Sequence, residues 1–125
     1  MSNKPSVILI EEDPIISLQL SRLLVQWGYE IFEKCDTITD AILAIKSPLS
    51  KPDLLIANIP YTHTEQHLQL LKVFRFLYKT PTLFVTTAPP QTILSANPGS
   101  TYFGLLSKPY TTYQMQKAIY NTLYL

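Results

Sequence analysis

The sequence is poor in the residues that build several common kinds of site. It has one cysteine, Cys35, so an internal disulfide is impossible and a cysteine-based zinc centre is excluded. Its three glycines, Gly28, Gly99 and Gly104, form no cluster, which leaves no glycine-rich loop to cradle a phosphate or a dinucleotide. Neither sign of charge prevails. Ten Lys plus Arg against nine Asp plus Glu leave a formal +1, which gives nucleic acid or an anionic membrane no electrostatic reason to bind. Long apolar runs are missing as well. The first, "VILI" (7–10), ends at "EED", too short for a signal-peptide core or a membrane span, so a cytoplasmic domain without membrane contact is expected.

What is present is a globular composition, 46% apolar and 15% charged over 125 residues, enough for a single domain spanning 1–125 with one core. Four short apolar runs read as buried strands: "SVILI" (6–10), "DLLIAN" (53–58), "TLFVTT" (82–87) and "FGLLS" (103–107). None alternates with polar residues, as suits a parallel sheet covered on both faces. "YEIFEK" (29–34) fits a fifth strand with weaker patterning.

Helical stretches lie between these runs. The first opens with Asp13 as N-cap and Pro14 behind it, places Ile16, Leu20, Leu23, Leu24 and Trp27 on its core face, and stops at Gly28. "TITDAILAIK" (37–46) follows, capped by Thr37 or Thr39, then "EQHLQLLKVFRFLYK" (65–79) and "PPQTILSA" (89–96). The last helix starts near Thr111, which with Gln114 has capping-box spacing. Strands alternating with helices predict a doubly wound parallel sheet, whose ligand crevice lies beyond the carboxyl ends of the strands.

Polar residues collect at those ends: Glu11, Glu12 and Asp13 after the first strand, Asn58 at the tip of the third in chain order, Thr86 and Thr87 at the end of the fourth, and Lys108 with Pro109 after the last. Carboxylate and amide oxygens suit Mg2+, and a lysine beside a hydroxyl suits a phosphoryl oxygen. "VILIEEDP", "PDLLIAN", "PTLFVTTA" and "LLSKPYT" resemble, in order, the four signature segments of response-regulator receiver domains of two-component signalling. The resemblance covers nearly the whole chain, and the 22 residues from Thr86 to Lys108 match that family's spacing.

The resemblance implies a flavodoxin-like (βα)5 fold with a five-stranded parallel sheet in the order 2-1-3-4-5. It sets Glu11 and Glu12 at the Mg2+-binding acidic pair, Thr86 at the switch hydroxyl, Leu105 at the switch position where an aromatic is usual, and Lys108 at the phosphate-contacting lysine, with a cis bond to Pro109. Asn58 stands at the phospho-accepting aspartate. A carboxamide oxygen is a poor nucleophile for phosphoryl transfer, so the expectation is a receiver-like, non-enzymatic signalling domain that cannot be phosphorylated and acts by protein–protein contact. The rival reading is a conventional phospho-accepting receiver into which an Asp-to-Asn change was introduced. The neighbouring loop "NIPYTHTEQH" also departs from the family pattern, which favours natural divergence.

Several residues have plainer readings. With the acceptor charge gone, Glu11 and Glu12 are expected to form an acidic rim paired with Lys108, binding Mg2+ weakly if at all, and no cofactor is firmly implied. His63 and His67, four apart, have no third ligand of clear origin and read as solvated loop residues. Cys35 and Trp27 read as packing.

On the last helix, Met115, Ala118, Ile119, Thr122 and Leu123 share the core side, while Tyr113, Lys117, Tyr120 and Tyr124 form a stripe opposite. Tyrosines on a solvent stripe point to an interface. The expected partner is a protein: a histidine kinase, an output domain, another receiver or a second copy through the last helix. The resemblance points the same way, because such domains commonly dock through their fourth helix, fifth strand and last helix.

Overall fold

A computed structural model describes residues 4–45, 51–59, 72, 74, 78–87 and 103–124. Five strands, β1 (Ser6–Ile10), β2 (Glu30–Cys35), β3 (Leu54–Ile59), β4 (Thr82–Thr86) and β5 (Phe103–Ser107), form one parallel sheet in the order β2-β1-β3-β4-β5. Among the described residues three helices flank it: α1 (Pro14–Gln26), α2 (Ile38–Ala44) and the last helix, α3 (Thr112–Tyr124). The expected helices over 65–79 and 89–96, His63, His67 and the divergent loop after Asn58 fall wholly or mainly outside the described residues.

Alternation along each strand divides the core into two layers. Val7, Leu9, Leu54, Ile56, Leu83 and Val85 face α1 and α3, where they meet Leu20, Leu24, Met115 and Ile119. Ile8, Ile10, Leu55, Ala57 and Phe84 face the other way, toward α2 and Phe74. Both sides of β1, β3 and β4 are therefore apolar, which is why their sequences show no polar alternation. Each fully buried aliphatic side chain contributes about 1.5–3 kcal/mol. β2 lies at the sheet's edge, and its exposed Glu30, Glu33 and Lys34 account for its weak pattern.

Local signals in the sequence set the helix ends. The Asp13 carboxylate accepts from the Ile15 and Ile16 amides at 2.9 and 3.3 Å, with Pro14 opening the helix. Gly28, at φ +96°, turns the chain from α1 into β2 in a conformation that side chains disfavour. Of the two candidate caps for α2, Thr37 serves, accepting from the Asp40 amide at 3.1 Å. Thr111 and Gln114 form the reciprocal pair expected at the start of α3, at 3.1 and 2.8 Å.

One expectation for α1 is corrected. Ile16 does not lie on the core face but is 36% exposed, and the buried stripe is Ser17, Leu20, Ser21 and Leu24. Two serines replace larger residues where the helix lies against the sheet, and Ser21 satisfies its hydroxyl by donating to the Leu18 carbonyl at 2.9 Å. A second close approach occurs at Gly104 in β5. A Cβ built there would collide with the Thr122 hydroxyl of α3, so β5 and α3 meet where only a hydrogen fits.

Candidate functional site

The sheet register assembles the rim. Ile10 pairs with Ala57, which brings Glu11 beside Asn58 at the carboxyl ends of β1 and β3. Asn58 pairs with Val85 and Ile59 with Thr86, while Thr86 pairs with Ser107. The Lys108 amide then donates to the Thr86 carbonyl at 3.1 Å, and the Lys108–Pro109 bond is cis. From this anchorage the Lys108 ammonium donates a hydrogen bond to the Asn58 side-chain oxygen. Both residues are half-buried, and Thr86 is buried beside them.

Glu11 and Glu12 part company. Glu11 is only 6% exposed, its amide donates to the Cys35 carbonyl at 2.9 Å, and its carboxylate accepts from the Asp13 amide at 3.2 Å. Burial pushes the Glu11 carboxyl above its ordinary range. The Asp13 hydrogen bond and the Lys108 charge pull it back, and the Asp13 and Glu12 charges push it further up. Glu12 stands exposed to solvent. The acidic rim thus meets Lys108 through the field of Glu11, whereas the hydrogen bond from Lys108 goes to an amide.

Tyr110, two residues past Lys108, joins this environment unexpectedly. It is half-buried against the α1/α3 core layer, and its hydroxyl is pushed up by burial and then by the negative charge of Glu11. Its place directly after Lys108-Pro109 was the available signal. Leu105 lies short of the rim, half-buried in β5 beside the edge-on pair of Phe84 and Phe103, whose centroids are 5.5 Å apart. Cys35, buried at the end of β2 with its thiol pushed up to about 11, is a packing residue rather than a reactive one.

This donor set fits a divalent cation poorly. Among the described residues no three of His, Cys, Asp or Glu come together to hold a metal. The Asn58 oxygen is engaged by an ammonium, and one Glu11 oxygen by a backbone amide.

The tyrosine stripe of α3 divides in two. Tyr113 and Lys117 help line a groove of about 580 Å³ between α3 and β5, together with Leu105, Ser107, Gln114 and Asn121. Tyr120 and Tyr124 do not line that groove and pack against each other at 4.8 Å between centroids; the hydroxyl of buried Tyr29, just past α1, is pushed up first by burial and then by these two tyrosines. Tyr113, Tyr120 and Tyr124 are 68%, 59% and 59% exposed, so all three offer ring surface to solvent. Two of the four residues therefore border the β5 groove and two lie outside it.

No protein-family model matches the chain. It is similar to the phyllosphere-induced regulator PhyR of Methylorubrum extorquens, 23% identical over 118 residues that cover 94% of this chain and 43% of that protein. The chain thus spans less than half the length of this curated relative. The receiver domain of the PhyR response regulator of Erythrobacter litoralis superposes with a TM-score of 0.78 at 26% identity, covering 98% of this chain and 92% of that one. A variant of the anti-anti-sigma factor PhyR of Bartonella quintana gives 0.77 at 19% identity, over 99% of this chain and 50% of that one. The chain has the fold of a response-regulator receiver domain, with the parallel order 2-1-3-4-5. No described helix is long and apolar enough to cross a membrane.

Proposed function

We propose that this chain is a receiver-type signalling domain of a phosphorelay or two-component system that cannot accept a phosphoryl group and works by contact with another protein. One observation carries the reading. The side chain at the tip of β3, beside Glu11 and under the Lys108 ammonium, is the amide of Asn58. An acyl phosphate at this position needs a carboxylate oxygen as its nucleophile, and a carboxamide offers none. The lysine that would meet a phosphoryl oxygen is instead held by the amide, so the rim is settled without the modification. The domain performs no catalysis of its own and has no need of Mg2+.

Its partner is a protein, a reading supported by the name anti-anti-sigma factor that one structural neighbour carries. The exposed rings of α3 provide the contact surface, and the setting is cytoplasmic. With phosphorylation lost, the partner's own preference among conformations of the domain sets the balance between them. Incubation with acetyl phosphate and Mg2+, followed by intact mass, tests the proposal. An unchanged mass is expected, and a phosphoryl adduct of about 80 Da on an aspartyl or asparaginyl position would overturn it.

A further inference from the structure

The poor fit of the rim to a divalent cation has a physical cause within the chain. We propose that the rim carries its own cation: the Lys108 ammonium, held by the Asn58 oxygen and facing the buried Glu11 carboxylate, neutralises the site and excludes Mg2+ and its congeners. The inference rests on the receiver reading above and adds to it a chemistry, which is exclusion of a metal by an internal charge.

Three features of the geometry support it. The register of β1 against β3 places Glu11 beside Asn58, and the bond from the Lys108 amide to Thr86 brings the lysine to the same spot. Glu11 and Lys108 cancel in formal charge, while Glu12 is left in water, where its charge is solvated. A carboxylate at position 58 would add a negative charge next to Glu11 that Lys108 could not also cancel, and a divalent ion would fill that deficit.

The oxygens are also committed. Mg2+ gives up its water reluctantly and prefers carboxylates, so an amide oxygen already bound to an ammonium is a weak recruit. A cation approaching Asn58 would meet the positive charge of Lys108 first, at a separation where like charges in a half-buried site repel strongly.

Mn2+ serves as the probe, read by broadening of backbone amide signals at Glu11, Glu12, Asp13, Asn58 and Lys108 in the labelled chain. The parent is expected to show no saturable broadening at the rim. Lys108→Met, which removes the internal cation, and Asn58→Asp, which adds the missing charge, are each expected to gain it at Mn2+ concentrations on the order of 10-fold lower or more. Lys108→Arg, which keeps the charge, is expected to stay blind to the ion. Far-UV circular dichroism confirms that each variant is folded, and Lys108→Met and Asn58→Asp stand in for one another if either is not.

Rim-localised, saturable Mn2+ binding by the parent at the concentrations that saturate the variants would overturn the proposal. So would failure of the folded variants to gain binding, because charge would then not be what keeps the ion out. Neither result bears on phosphoryl acceptance, which the mass measurement reads separately.

Discussion

The rim and the last helix handle their polar and apolar groups in opposite ways. At the rim, a buried carboxylate, an amide and an ammonium are brought together by strand register and engage one another or the backbone. On α3, three tyrosine rings remain more than half exposed, and two of them pack against each other at a tilt. Where a receiver would take its signal, this chain has satisfied its groups internally. Where a receiver would pass the signal on, it leaves sticky surface in water. Under the proposed function, this contrast is that of a domain read by its partners and not written on by a kinase.

The largest effect is expected where α3 is tied to the sheet. Gly104→Ala would drive a methyl group into Thr122 and force α3 away from β5, at a cost of about 1–3 kcal/mol. Urea unfolding measures it, and a loss below 0.5 kcal/mol or so would mean that the close approach is not maintained in solution. The variant also sharpens the comparison, because the Asn58–Lys108 contact at the rim should survive while the groove beside Tyr113 and Lys117 changes shape.

A smaller effect is expected from the buried carboxylate. Since burial raises the Glu11 pKa above its ordinary 4.5, the folded state holds this proton more tightly than the unfolded chain does. That contribution to stability is fully present below the unfolded value and is lost as pH rises through the folded one. Glu11→Gln lacks it, so the gap between parent and variant melting temperatures should shift in the variant's favour as pH rises from 4.5 toward neutrality. A gap that stays constant across that range would show that Glu11 titrates as an ordinary solvated acid.

The smallest effect on the fold is expected on the exposed rings. Tyr120→Glu with Tyr124→Glu should change stability by no more than about 0.5 kcal/mol each, as is usual for surface positions. The same pair should reduce self-association in sedimentation velocity. Tyr113→Glu tests the β5 groove separately, and whichever substitution weakens association identifies the flank in use. An unchanged profile for all of them would remove the second copy as a partner.

Much of this was legible in the sequence, for identifiable reasons. Uninterrupted apolar runs marked β1, β3 and β4 because both faces of those strands are covered, and caps such as Asp13 and the Thr111–Gln114 pair act within one turn, so short-range spacing reveals them. The rim residues could be named because strand ends in a parallel sheet share one edge.

Other features depend on which neighbour lies on which flank. A helical wheel gives an angle about one axis, so it could not separate Tyr113 and Lys117 from Tyr120 and Tyr124, nor show that α1 turns Ser17 inward and Ile16 outward. Adjacent Glu11 and Glu12 look equivalent in the sequence, yet the end of a strand buries one and solvates the other. The link of Tyr110 to Glu11 crosses from the segment after β5 to the end of β1, so its place after Lys108-Pro109 is the one local sign of it.

The most direct test of the central claim is mass analysis of the unaltered chain after treatment with acetyl phosphate and Mg2+, read on the peptide that carries Asn58 and beside a phosphorylatable receiver as control. The control should gain a phosphoryl group while the Asn58 peptide keeps its mass. A phosphoryl group mapped to that peptide, at Asn58 or at a side chain acting in its stead, would contradict the account.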